Sequence, residues 1–353
     1  MSRHRPPTDF YDVFAPGIFS GHRFSRRNSH RYAVASAATV GLMVAAALVN
    51  RHLAKKAERD NPPAGQFLDV QGVRLHYVER GKGEPLVLLH GNGSMIQDFG
   101  SSGLISLASE KYRVIVLDRP GFGHSSRPRG RMWTPQAQAD LIHEALQRIG
   151  INRAMVLGHS WGASVAASLA LKHPETVSGL VLASGYYYPT ARADVVMLSG
   201  PAVPIVGDIL SYTLAPLVSR AIWPLLMRKI FGPAPVPEKF KSFPKEMAVR
   251  PSQIRASAAE TAFMIPNAIV ERQEYQTLKM PVAIIAGQED RLIPINEQSA
   301  RLHEEIAQST LHRIAGAGHM VHQTAPAAML SAIEQVDGSA HLRRHEERRA
   351  KLA

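Results

Sequence analysis

The chain has 353 residues, no cysteine, and 41 Lys/Arg against 29 Asp/Glu, a formal net charge of +12. With 45% hydrophobic and 20% charged residues, its composition excludes a disordered or fibrous protein. The absence of Cys excludes a disulfide framework, a cysteine-ligated zinc site and a thiol nucleophile.

The charge is unevenly placed. Residues 1–60 carry ten Lys/Arg against four Asp/Glu, residues 338–353 carry five against two, and the 277 between carry 26 against 23. The excess therefore lies in a basic N-terminal tail (1–32), its neighbourhood and a basic C-terminal tail (338–353). A nucleic-acid partner is not expected, and no RNP, helix-turn-helix or zinc-finger spacing occurs.

Ala33–Val49 is a run of 17 residues without charge, with Arg31 before it and Arg51, Lys55 and Lys56 after it. At ~1.5 Å per residue such a helix spans about 25 Å, the short end for a ~30 Å hydrocarbon core; flanking Arg and Lys can snorkel to close the gap. The run predicts a transmembrane helix over 33–49 that makes the membrane a partner through a single-pass anchor. Two readings compete: a signal peptide cleaved near Ala45–Ala47, and a buried or interfacial helix. Six Arg precede the run against four Lys/Arg soon after it, which mildly favours a cytoplasmic N-terminus. Ala37, Gly41 and Ala45 form a small-residue stripe suited to helix packing, so a homo-oligomer is allowed. Residues 50–65 read as a linker, ending in Asn61–Pro62–Pro63–Ala64–Gly65.

From Gln66, apolar runs alternate with helical patterns. Phe67–Val70 and Val73–Val78 flank a Gln71–Gly72 turn and predict a hairpin. PLVLLH (Pro85–His90), YRVIVLD (Tyr112–Asp118), AMVLG (Ala154–Gly158), GLVLA (Gly179–Ala183) and PVAIIA (Pro281–Ala286) are continuous apolar runs, as in strands buried on both faces of a parallel sheet. Thr134–Pro135 is a helix start. This alternation predicts an α/β fold with a mainly parallel sheet. Tyr186–Lys279 interrupts it with 94 residues rich in Pro, Leu, Ala and Ile, far more than a simple crossover needs. It reads as an inserted helical lid (186–279) between two parts of a core, 66–185 and 280–337.

Gly158–His159–Ser160–Trp161–Gly162 follows a strand and precedes a helix. In that context a sharp turn lifts the Ser160 hydroxyl clear of the sheet, and the glycines leave room for the turn. A serine nucleophile needs a base oriented by a third group. Among 16 His, His319 stands out in the loop Ala315–Gly316–Ala317–Gly318–His319 after a last strand, with His322 its nearest rival. Asp290 follows the Pro281–Ala286 strand and supplies the acid that holds the imidazole, with Glu289 its competitor. Asp118 also ends a strand, but with Arg119–Pro120–Gly121–Phe122–Gly123 after it reads as a turn that shapes the cleft. The oxyanion donors are the Trp161 N–H and an N–H from the loop His90–Ser94, with Asn92 the first choice and Gly93 the second. No metal or organic cofactor is required.

On HGNG at His90–Gly93, DRPGFGHS at Asp118–Ser125, GHSWG at Gly158–Gly162, GQEDRLIP at Gly287–Pro294 and GAGH at Gly316–His319, the sequence resembles the α/β-hydrolase fold superfamily over residues 66–337. The resemblance points to its esterase, haloperoxidase-like and carbon–carbon hydrolase branch. It implies a mostly parallel eight-stranded sheet with helices on both faces and a lid over the site. Epoxide hydrolases and haloalkane dehalogenases of that superfamily use Asp where Ser160 stands, which argues against both. The expected activity is hydrolysis of a carboxylic ester or related acyl bond in a largely apolar small molecule. An acyltransferase or perhydrolase with the same triad, or a non-catalytic ligand receptor on this scaffold, are the rival expectations.

Overall fold

The computed structural model describes residues 26–192, 195 and 198–352; most of the basic N-terminal tail lies outside them. The chain divides into two units, 1–45 and 46–353. The described part of the first is helix alone. Helix α1 (Arg26–Asp60) contains the apolar run, and is the described helix whose length and hydropathy suffice to cross a membrane by itself.

The linker expected from residue 50 is helical as far as Asp60. Residues 51–59 are mostly good helix formers, and tertiary contacts fix them. Asn50 is fully buried; its Nδ2 donates to the carbonyls of Tyr212 (3.1 Å) and Thr213 (2.7 Å), and Arg220 donates to its Oδ1 at 3.0 Å. Arg250 pairs with Glu58 at 2.6 Å. Only 61–65 remains an open connection.

The sheet contains β1 (Gln66–Val70), β2 (Val73–Arg80), β3 (Glu84–Leu89), β4 (Tyr112–Leu117), β5 (Ala154–His159), β6 (Val177–Ala183), β7 (Val282–Gly287) and β8 (Ser309–Ile314), in spatial order β1-β2-β4-β3-β5-β6-β7-β8. The β1–β2 and β2–β4 pairs are antiparallel and the other five are parallel. The expected hairpin pairs Val70 with Val73.

The apolar runs alternate between two cores. Val87, Leu89, Ile115 and Leu117 point to the face covered by α4 (Pro135–Arg148) and α5 (Trp161–Lys172). Leu86, Leu88, Val114 and Val116 point to the other, covered by α2 (Ile96–Ser102) with Phe99, α3 (Leu104–Ala108) with Leu104, and the last helix with Ile333. Each such side chain buried contributes roughly 1.5–3 kcal/mol. The start of α4 follows from its capping chemistry: the Thr134 hydroxyl accepts from the Ala137 N–H at 3.2 Å, with Pro135 in the first turn.

Between β6 and β7 lie α6 (Val206–Tyr212), α7 (Leu214–Phe231), α8 (Lys245–Ala248) and α9 (Pro251–Glu271). The α6–α7 pair bends by 56°; the Tyr212 and Thr213 carbonyls at that bend are the ones Asn50 satisfies. After β8, α10 (Pro326–Leu352) continues as helix through most of the stretch expected to be a tail.

The α9 helix is tied to the core through Glu271, which accepts from Ser168 of α5 and Gln136 of α4, and from Asn267 of its own helix. Burial outweighs these donors and pushes Glu271 up to about 7 from an ordinary value of 4.5. Between those values the folded chain keeps a proton that the unfolded chain has lost, so this group lowers stability as pH rises through that window. Replacing Glu271 by Gln should flatten that fall and stabilise the protein by up to about 3 kcal/mol near pH 8 but little near pH 5. Denaturant melts of both proteins at the two pH values check it.

Candidate active site

Strand β5 ends at His159, and α5 starts at Trp161. The single residue between them, Ser160, has φ 54° and ψ −120°. A non-glycine residue held there stores about 1–3 kcal/mol, and the turn is pinned by the Ser160 N–H donating to the Ala183 carbonyl at 2.8 Å. Both flanking glycines are required sterically. A Cβ on Gly158 would lie 2.2 Å from the Gly162 carbonyl oxygen, and one on Gly162 would lie 2.1 Å from that of Leu89.

The loop after β8 brings His319 to this turn. Its Nε2 lies 3.0 Å from Ser160 Oγ, and its Nδ1 lies 2.8 Å from Asp290 Oδ2. Asp290 is fixed in turn: its Oδ1 accepts from the Leu292 and Ile293 N–H groups at 2.8 and 2.9 Å. With Nδ1–H donated to a fixed carboxylate, Nε2 is left to accept the serine proton. The backbone N–H of His319 donates to the carbonyl of Ile230 in α7 at 2.9 Å, so the lid and the histidine loop are joined. Glu289 is exposed. His322 lies on Asp98 at 3.0 Å instead of on Ser160.

The loop after β3 passes close to this turn: a Cβ on Gly91 would stand 3.1 Å from that of Ser160. Asn92 and Gly93 line the same cavity as Ser160 and His319. The Asn92 side chain is committed to α9, donating to Ser257 O at 3.1 Å and Thr261 Oγ1 at 2.9 Å. Among the described residues, neither the Asn92 nor the Trp161 backbone N–H meets an acceptor. Trp161 opens α5, where the helix dipole adds positive potential.

Arg119 holds this loop, a role that the sequence reading missed. Its guanidinium is fully buried and donates to the His90 carbonyl (2.8 Å), the Gly91 carbonyl (2.9 Å), Gln138 Oε1 (3.0 Å) and Glu260. Burial and the Arg119 charge bring His90 down to about 3, so its ring is neutral. That ring accepts the Arg119 N–H on Nε2 at 3.0 Å and faces the Gly91 carbonyl with Nδ1 at 2.8 Å. Asp118 is the structural turn that was expected: it accepts from the N–H groups of Ile96 and His124 and lies 2.7 Å from His76. Burial raises Asp118, but the His76 bond and charge bring it below the ordinary range.

Near Ser160 and His319, Asp98, His159 and His322 each bring a ligand-type atom within 4.8 Å of the others. This is the buried grouping nearest to a metal site among the described residues. Asp98 is already engaged by Ser94, Gln323 and His322, and burial holds His159 well below its usual range, leaving it neutral. His159 Nε2 lies 3.0 Å from the His319 carbonyl, so the grouping braces the histidine loop.

The cavity above Ser160 has a volume of about 410 Å³. Its walls are mainly apolar side chains of the lid, among them Val218, Ile222, Leu226, Met227 and Phe243. The same lid helices leave Val206, Leu217 and Leu225 exposed.

Removing Glu260 would leave the Arg119 charge buried without its carboxylate. Glu260→Leu should cost about 3–5 kcal/mol of stability, read from denaturant melts.

Residues 84–326 match the family model described as the alpha/beta hydrolase fold. A hydrolase of Bacillus subtilis (strain 168), YugF, described as uncharacterized, is 28% identical over 268 residues, covering 73% of this chain and 92% of its own. The 2-hydroxymuconate semialdehyde hydrolase of Pseudomonas sp. (strain CF600) is 28% identical, covering 74% and 90%. Among solved structures, a bacterial membrane phospholipase A aligns with a TM-score of 0.60 at 22% identity, over 88% of this chain and 97% of that one.

Proposed function

The chain belongs to the alpha/beta-hydrolase fold family, and from that premise we propose that it is a serine hydrolase that cleaves esters of apolar acyl groups. The observation that carries this reading is the placement of His319 between Ser160 and Asp290, at 3.0 and 2.8 Å. Ser160 Oγ attacks the ester carbonyl carbon while His319 Nε2 takes its proton. The tetrahedral oxyanion is held by the backbone N–H groups of Trp161 and Asn92, with Gly93 the alternative to Asn92. Collapse breaks the bond to the alcohol, which leaves with the proton from His319. Water then repeats the sequence on the acyl-enzyme, giving the acid and restoring Ser160. Asp290 keeps the imidazole oriented and stabilises its charged form.

Wild-type protein should label covalently with a fluorophosphonate. Ser160→Ala should abolish the label and lower ester turnover by about 10⁴-fold or more. Equal labelling of both proteins would reject the assignment.

The apolar cavity walls favour a hydrophobic acyl or alcohol group. Over a series of p-nitrophenyl esters, kcat/KM should rise with acyl length; a preference for short charged esters would count against this. The apolar run of α1 is read as a single-pass membrane anchor. The expressed chain should therefore stay in the membrane pellet through an alkaline wash. Recovery of a soluble chain beginning near Ala45–Ala47 would instead make the run a signal peptide.

A further inference from the structure

Helix α9 separates two recesses. Ile254, Ser257, Ala258 and Thr261 line the catalytic cavity, whereas Ser252, Arg255 and Ala256 face a second recess of about 380 Å³ that shares no lining residue with the first. Five arginines line the second: Arg74 of β2, Arg127 and Arg129 of the loop after β4, and Arg250 and Arg255 at the start of α9.

Their charge is not fully compensated. Glu58 pairs with Arg250, and Asp208 is shared by Arg129 (3.2 Å) and Arg255 (2.7 Å). Among the described residues, Arg74 and Arg127 meet no carboxylate. The Arg127 guanidinium donates to the Pro120 carbonyl at 2.8 Å. Burial, with Arg119 and Arg255 nearby, brings Arg127 down to about 10 despite the charge of Glu260. Nearby His124 is also lowered by burial, so it adds a neutral ring.

The backbone adds to this potential. The 21-residue α9 begins at the recess without a side-chain cap, and its first residue, Pro251, has no N–H. Among the described residues the next N–H, that of Ser252, meets no acceptor. A helix start of this kind favours an anion. The Ser252 hydroxyl lines the recess beside it.

We propose that this recess is a second binding site, separate from the catalytic centre, that takes a phosphate-type anion. Guanidinium forks match phosphate oxygens in pairs. Donors from three separate chain segments suit a tetrahedral anion with several oxygens better than a planar carboxylate. The source is a free phosphate or the phosphodiester of a lipid headgroup. Glu58, on the wall, belongs to the helix that carries the apolar run, and Tyr212, also on the wall, ends α6.

The test is calorimetric titration of the full chain in nonionic detergent micelles. The probes are inorganic phosphate, dihexanoyl phosphatidylglycerol below its micellar concentration, and dihexanoyl phosphatidylcholine as the zwitterionic control, all at fixed ionic strength. Saturable binding of phosphate is expected, weakened at least tenfold or so in Arg74→Gln/Arg255→Gln. Tighter binding of phosphatidylglycerol than of phosphate assigns the site to a lipid headgroup. Binding of phosphate alone assigns it to a free anion. Either result supports the site. No saturable binding of either anion, binding unchanged in the double variant, or equal binding of phosphatidylcholine overturns it. Should the double variant melt more than about 5 °C below wild type, the single Arg74→Gln change, on an exposed strand residue, carries the test. Its phosphate affinity should fall about threefold, and an unchanged affinity overturns the site.

Discussion

The buried guanidinium of Arg119 is the constraint on which the rest of the site depends. It stands at the end of a central strand and spends its donors on two carbonyls of the loop after β3, on α4 and on α9. By claiming the carbonyls of His90 and Gly91, it fixes the peptide orientations in the loop where the Asn92 N–H lies. The charge cannot be left alone at that depth, and Glu260 supplies its partner from the lid. One residue therefore couples three requirements: a stable loop, a neutral His90 and a lid seated on the core.

The lid is fastened to the machinery on two more sides. The carbonyl of Ile230 accepts the His319 N–H, and the Asn92 side chain donates to Ser257 and Thr261. On its far side, Asn50 satisfies the two carbonyls at the α6–α7 bend, so the end of α1 supports the element that walls the cavity. The lid segment is thus held at several points along its length, while α7 keeps apolar side chains exposed.

Much of this was legible in the sequence, for physical reasons. Strands buried on both faces must be continuously apolar, so β3 to β7 announce themselves, and a sharp turn between strand and helix needs glycines where Gly158 and Gly162 stand. Asp290 and His319 follow strands, which limits where they can point. Residues 50–60 are helical although their charges suggest a solvated linker. Their helix-forming residues allow the helix, and the tertiary contacts of Asn50, Ala57 and Glu58 hold it against the folded part. The Arg119–Glu260 pair was invisible because its members are 141 positions apart and no local pattern marks a buried carboxylate inside a helix.

Charge shows the same limit most clearly. Along the chain, the folded part is nearly balanced, with 26 basic against 23 acidic residues between 61 and 337, which argues against a polyanion partner. Balance along a chain is not balance in space. Arg74, Arg127, Arg129, Arg250 and Arg255 come from three distant segments, and the fold gathers them around one recess with two carboxylates among them. The field at a point depends on such local clustering and falls off within about 10 Å in salt. A chain with little net charge in its folded part can therefore hold a strongly cationic recess, and only the arrangement of its strands and helices shows where.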